Sequence, residues 1–278
     1  MPEAIPFKIV FMGGVPRSGT TFLQVALAGS PQIATSRETH LFDAYLGHLF
    51  NRFRDEEAVF RCADGIRHLI DAQTLNTHLR DIAVSVLAAI RAKRPGAAVV
   101  LEKTPGHLQY MPMIDACLPE ARFIHLVRDP RGVAASLKAA SGEAWGYWAD
   151  KEVLGAAGRW LREVKAIREY SPRLGDRFRQ VRYEDLFVRG GDIINELYRW
   201  LELPANTDLR GDLRENYPIG SMARADAELT DPQHESRAQF FRKGDPDSWR
   251  EELTDAEISA IEGLCRAEMQ SFGYRPLE

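Results

Sequence analysis

The residues with the clearest chemical potential lie near the start of this 278-residue chain, in Gly13-Gly14-Val15-Pro16-Arg17-Ser18-Gly19-Thr20-Thr21. A glycine-bounded turn carrying an arginine and several hydroxyls can surround an anion. Its backbone amides point inward, Arg17 supplies charge, and Gly19 lets the main chain approach closely. An apolar run over residues 7–12 precedes the turn and predicts a buried strand, while Phe22, Leu23, Val25, Ala26 and Leu27 predict a helix stopped by Gly29-Ser30-Pro31. A strand-to-helix junction adds the positive end of the helix to the cradle. The Gly14-to-Gly19 spacing matches a P-loop, but Thr20 and Thr21 stand where that motif places Lys and Ser/Thr. With the lysine missing, the cationic role falls to Arg17, which argues for a phosphate-bearing ligand other than a Mg-nucleoside triphosphate.

Further polar clusters follow short segments that read as strands. Residues 97–101 lead into Glu102-Lys103-Thr104-Pro105, residues 122–127 into Arg128-Asp129-Pro130, and residues 178–183 end on Tyr183. Asp129 and Pro130 suit the cap and first turn of a helix over 131–140, which carries Ser136. Other helical patterns cover 73–93, 107–117, 152–170, 191–202 and 254–270. Helices alternating with strands predict an α/β fold: a parallel sheet covered by helices on both faces, with ligands at the carboxyl ends of the strands. There is no internal repeat, and the loop-rich stretch 204–250 is too mixed to be a linker, so a single domain over 1–278 is expected.

The bulk properties bound the function classes. Hydrophobic content of 45% with 27% charged residues describes an ordinary globular protein, and a formal net charge of −4 gives no nucleic-acid footprint, so any polyanion site is local. Cys62, Cys117 and Cys265 are isolated and odd in number, which suggests neither a disulfide framework nor a zinc site and fits a reducing cytoplasm. Residues 1–6 lack a signal-peptide pattern, and no uninterrupted apolar stretch reaches the ~18 residues of a membrane span.

Pro16-Arg17-Ser18-Gly19-Thr20-Thr21 resembles the 5′-phosphosulfate loop of sulfotransferases that use 3′-phosphoadenosine 5′-phosphosulfate (PAPS), in the form seen in tyrosylprotein and related carbohydrate-type members; cytosolic members usually carry Lys at the place of Arg17. Three more elements resemble the same family, in order along the chain. Arg128 and Ser136 take the positions that bind the 3′-phosphate through a charged fork and a hydroxyl. Tyr183, in Val181-Arg182-Tyr183-Glu184-Asp185-Leu186, takes the position that approaches the adenine. Arg242-Lys243-Gly244, ending in Trp249, is similar to the C-terminal segment that closes over the 3′-phosphate. Members with this loop form often carry an Arg where Ala140 stands here, and whether Lys138 replaces it is open.

The resemblance also implies a transfer apparatus. Ser36-Arg37-Glu38-Thr39-His40-Leu41-Phe42 is similar to a heparan-type segment whose Glu is the base, which nominates Glu38, with His40 as the competing base or as an orienting group. Lys103 takes the place of a Lys near the bridging oxygen of the donor. Pro105 replaces the histidine base of the cytosolic small-molecule enzymes. The implied protein is a soluble, bacterial-like sulfotransferase with a P-loop-like sheet. It would use PAPS as donor, release 3′-phosphoadenosine 5′-phosphate (PAP), and need no metal, since side-chain cations suffice for a sulfuryl group. A P-loop kinase and a non-catalytic nucleotide-binding module are the rival readings. A carbohydrate or glycosylated small molecule is the expected acceptor. Trp145, Tyr147, Trp148 and Trp160, together with the aromatics of 42–68, are candidates to line its mouth, although core packing competes for them.

Overall fold

The computed structural model describes residues 5–55, 65–209, 211–218 and 244–277. Five strands, β1 (Lys8–Gly13), β2 (Ile33–Thr35), β3 (Val99–Lys103), β4 (Arg122–Val127) and β5 (Phe178–Arg182), form one sheet in the order β2-β3-β1-β4-β5. Every pairing is parallel, with Met12 opposite Lys103, Gly13 opposite His125, and Val127 opposite Arg182. The described helices are α1 (Thr20–Ala28), α2 (Gly47–Arg54), α3 (Ala72–Ala92), α4 (Met111–Cys117), α5 (Pro130–Ser141), α6 (Val153–Tyr170), α7 (Leu186–Trp200), α8 (Leu213–Asn216), α9 (Trp249–Glu252) and α10 (Asp255–Ser271).

The alternation of strand side chains divides the core. Ile9, Phe11, Val100 and Phe123 point to one face, where α3 supplies Leu75, Leu79, Leu87 and Ile90 and α4 supplies Met111 and Ile114. Val10, Met12, Val99, Leu101 and Ile124 point to the other, against Leu23, Ala26 and Leu27 of α1 and Ile194 and Leu197 of α7. A third cluster joins α5, α6 and α10 around Trp160, Ile261 and Met269. Both faces of the sheet are thus dry, and residues beyond the strand ends are left to make a site.

The strands end within two residues of where their sequences predict: β5 stops at Arg182, just before Tyr183, whereas β3 runs on to Lys103, so Glu102 and Lys103 are strand residues. The element 107–117 divides into a 3₁₀ segment over Pro105–Tyr110 and α4, and α7 begins at Leu186 rather than near 191. The short β2, a turn of π-helix over Leu41–Leu46 and α2 were not expected from the sequence. Phe42 and Trp160, candidates for an acceptor mouth, are core residues: Phe42 packs edge-on against Phe11, and the Trp160 indole donates to the carbonyl of Arg128 at 2.9 Å.

Candidate active site

Five parallel strands present their carboxyl ends on one side, and each leads into one of the predicted clusters. The Gly14–Gly19 turn follows β1, Glu38 and His40 follow β2, Lys103 closes β3, Arg128 follows β4 and Tyr183 follows β5. They gather around a cleft of about 640 Å³, lined by Arg17, Thr21, Glu38, Arg128, Ser136 and Tyr183 among others, with the buried Lys103 behind Thr21 and Glu38. Gly244 lines it too, while Arg242 and Lys243 lie outside the described residues.

The β1–α1 turn is built to leave its donors open. Gly19 caps α1 with φ of 91°, no side chain caps the helix, and its first turn holds no acidic residue. The first amides of α1 therefore face the cleft, where an anion completes them. A Cβ at Gly19 would lie 2.4 Å from the Tyr183 ring, so glycine serves both the left-handed backbone and the close approach of the aromatic ring. The Ser18 hydroxyl is buried and makes no hydrogen bond among the described residues. Buried polar groups are normally paired, so this hydroxyl is an exception within the turn, although Ser18 lies behind the cleft wall rather than lining it.

The charged groups fall into two clusters. In the first, Arg17 Nε donates to Ser136 Oγ at 3.0 Å, Arg128 Nη1 donates to the Arg17 carbonyl at 3.1 Å, and Arg128 Nη2 to the Asp245 carbonyl at 3.4 Å. The Arg128 guanidinium lies 4.4 Å above the Tyr183 ring, and its buried Nε has no partner among the described residues. Arg128 is thus no surface ion pair: Asp129 is engaged by Arg131, whose Nη2 donates to it at 2.6 Å, and Glu120 by Arg80 at 2.5 Å. A cation held by carbonyls and a ring, with a free N–H, is positioned for an anionic ligand. Lys138 stands apart, paired with Glu257 at 2.6 Å, and does not line the cleft.

In the second cluster, the Lys103 ammonium donates to Glu38 Oε1 at 2.5 Å and to Thr21 Oγ1 at 3.3 Å, while His40 Nε2 stands 3.6 Å from Glu38 Oε2. His40 Nδ1 meets Asp43 Oδ2 at 3.1 Å. That hydrogen bond outweighs partial burial and raises the imidazole above its ordinary value. The protonated form of His40 is thereby favoured beside Glu38 and Asp43, which suits an orienting partner better than a base. Behind Asp43, His107 is buried with its Nδ1 2.6 Å from Glu102 Oε2. Burial alone would depress its pKa, yet the Glu102 carboxylate and Asp43 push it up to about 9. Asp43 is held well below the usual carboxylate range: burial opposes its ionisation, but hydrogen bonds to His107 and His40 prevail.

Several lining residues were not singled out from the sequence. Phe22 and Phe187 stack at 5.8 Å, Tyr183 meets Phe187 edge-on at 4.9 Å, and the Arg214 guanidinium lies 4.6 Å from the Phe187 ring. At the other end Tyr147 is 89% exposed and Trp148 38%, so these two aromatics, unlike Trp160, are free to meet a ligand. Trp145 lies behind them, 5.7 Å from the Arg17 guanidinium.

Comparison with known proteins agrees with this geometry. A model of the Sulfotransferase family matches residues 10–208. The chain belongs to the sulfotransferase family. A protein-tyrosine sulfotransferase of Drosophila melanogaster is 23% identical over 71% of this chain and 38% of its own length, and carbohydrate sulfotransferase 5 of Mus musculus is 31% identical over 55% of this chain and 42% of its own. The chain thus spans about two fifths of the length of these relatives. Among solved structures, the sulfotransferase domain of the Synechococcus olefin synthase superposes over 99% of this chain and 98% of that one, with a TM-score of 0.60 at 20% identity. A mouse sulfotransferase solved in complex with PAP superposes over 95% of this chain and 85% of that one, with a TM-score of 0.57 at 13% identity. The fold is that of a sulfotransferase, a parallel sheet flanked by helices. Among the described residues, no helix is long and apolar enough to cross a membrane.

Proposed function

We propose that this protein transfers the sulfuryl group of PAPS to an acceptor hydroxyl and releases PAP, acting in the cytoplasm on a carbohydrate or glycosylated small molecule. The observation that carries the reading is the convergence of two charged clusters on one cleft, with unpaired donors already present: the Arg128 Nε and the uncapped first turn of α1. These fit a ligand with anionic groups at two places, which PAPS carries as its 5′-phosphosulfate and 3′-phosphate. Ser18, Gly19, Thr20 and Thr21 would hold the former, and Arg128 with Ser136 the latter. Arg17, bonded to Ser136, couples the two. The aromatic group of Tyr183, Phe22 and Phe187 is suited to a purine ring.

PAPS supplies an activated sulfuryl group whose departure leaves a bisphosphate. As the acceptor oxygen bonds to sulfur, the bond from sulfur to the 5′-phosphate oxygen breaks, and the acceptor proton passes to Glu38. Lys103, already at the Thr21 hydroxyl, stabilises charge on the departing oxygen and exchanges its contact with Glu38 for one with the donor. His40 orients Glu38. Tyr147 and Trp148 offer faces on which a sugar or an aglycone can stack. A carboxylate base beside side-chain cations favours transfer over simple nucleotide binding. The test is transfer of ³⁵S from labelled PAPS to a panel of phenyl glycosides, phenols and tyrosine peptides. Label on a glycoside, lost in Glu38→Gln, supports the reading, and label on peptides alone would replace its acceptor class.

A further inference from the structure

Glu102 and His107 form a buried acid–imidazole pair that the transfer step above does not use. Both side chains are withdrawn from solvent, and apart from Thr104 their other hydrogen-bond partners lie on one loop. Glu102 Oε1 accepts from the Thr39 hydroxyl at 2.8 Å, from the Thr104 hydroxyl at 2.8 Å and from the Thr39 amide at 3.3 Å. Thr104 Oγ1 in turn accepts from the amides of Thr39 and His40 at 3.1 and 3.3 Å. His107 Nε2 faces the Phe42 amide at 3.1 Å and Asp43 Oδ1 at 3.5 Å. The neutral ring accepts from the first and the imidazolium donates to the second, and both groups belong to the turn that follows His40. Glu38 and His40 therefore sit on a segment gripped by three side chains: Glu102 and Thr104 hold Thr39 and His40, and His107 holds Phe42 or Asp43 according to its protonation. His40 is held there with φ of 53°, a conformation a non-glycine residue keeps only when its surroundings impose it.

We infer that Glu102 and His107 are positioning residues for sulfuryl transfer: through Thr39, Thr104 and Asp43 they fix the 38–43 loop so that Glu38 meets Lys103 and the acceptor. The inference rests on Glu38 acting as the base. The pair is a costly device, because two ionisable groups are taken out of water, and that cost is consistent with geometry that must be held closely. It also explains why β3 continues through Lys103. One strand end carries Lys103 toward the cleft and Glu102 toward the loop, so the cation and the base are referenced to the same backbone.

The experiment compares wild type, Glu38→Gln, His107→Gln, Glu102→Ala and the double variant Glu38→Gln/His107→Gln. It reads PAP affinity by calorimetry, amide hydrogen exchange by mass spectrometry, and turnover of ³⁵S-PAPS with 4-nitrophenyl β-D-glucopyranoside as the probe acceptor. His107→Gln is expected to keep PAP affinity and donor KM, to speed exchange in the 38–43 segment while β1 stays protected, and to lose about 100-fold in kcat, the order expected for a misplacement near 1 Å. The double variant should be no slower than Glu38→Gln alone, because a residue that acts through Glu38 has nothing left to position; a merely structural role would add a further loss. Should Glu102→Ala fail to fold, His107→Gln carries the test. Unchanged exchange and kcat in His107→Gln, with Glu38→Gln inactive, would overturn the inference and leave the base reading intact. Wild-type turnover in Glu38→Gln would overturn the base reading, and the inference with it. If the probe is not turned over by the wild type, exchange decides: faster exchange confined to 38–43 supports the grip, and its absence overturns it.

Discussion

Lys103 donates to Glu38 at 2.5 Å and to Thr21 at 3.3 Å, so one ammonium touches both the candidate base and the hydroxyl of the anion loop. The lysine is 4% exposed, which means that its charge is spent inside the site. Such a group stabilises charge that moves between two partners, since it faces both before any bond changes. Lys103→Ala is expected to lower kcat by about 10²- to 10³-fold, the usual cost of deleting one such donor, with a smaller effect on PAP affinity. Steady-state kinetics beside calorimetry separates the two, and equal losses in both would assign Lys103 to binding alone.

Arg128 tests the 3′-phosphate assignment. Its guanidinium is fixed by two carbonyls and the Tyr183 ring, and the backbone that carries it is held by the Trp160 indole and by Glu184, which accepts from the Asp129 amide at 2.9 Å. Arg128→Ala should weaken PAP binding by about 2–3 kcal/mol, the scale of a lost charge-assisted pair, while leaving ADP binding nearly unchanged. A uniform loss for both ligands would remove the 3′-phosphate from Arg128.

Gly19 is sensitive for a steric reason. A methyl group there meets the Tyr183 ring at 2.4 Å and imposes strain at φ of 91°. Gly19→Ala should abolish nucleotide binding while the far-UV circular dichroism spectrum stays that of the wild type, because the clash lies at the cleft rather than in the sheet.

Two buried histidines set opposite limbs of the stability profile. His125, between Phe178 and Phe272 at the β4 face, has its pKa pushed down by burial to about 4 from 6.5. Between those values the unfolded chain binds the proton and the fold does not, so stability is full above pH 6.5 and falls by up to about 3 kcal/mol as pH drops through the folded pKa. His107, raised to about 9, contributes stability that is full below pH 6.5 and is lost as pH rises through its folded value. Thermal unfolding followed from pH 4 to 10 should show a maximum near neutrality. His125→Asn should flatten the acid limb and His107→Gln the alkaline one, and an unchanged limb in either variant would refute its assignment.

The sequence made the strand-end clusters legible because each is local: an apolar run, then a cation or a glycine turn within a few residues, as at Met12 to Gly19 and Val127 to Arg128. Pairings between clusters were not legible. That β2 lies beside β3, and so brings Thr39 to Glu102 and Asp43 to His107 across some 64 residues, follows from sheet order, which spacing does not encode. β2 itself, three residues after a proline turn, is too short to show a period. Phe42 and Trp160 suited a ligand mouth as well as a core by residue type alone, and only packing against Phe11 and the Arg128 carbonyl decides between them. Phe187 and Arg214 carry no local signal of a ligand, being an aromatic on an amphipathic helix and an arginine beside Asp212.

The central claim is that the cleft binds a 3′-phosphorylated adenine nucleotide. Calorimetric titration of the protein with PAP, ADP and Mg-ATP tests it without knowledge of the acceptor. Tight binding of PAP that needs the 3′-phosphate and no added metal is the expected result; a preference for Mg-ATP, or equal affinity for PAP and ADP, would contradict it.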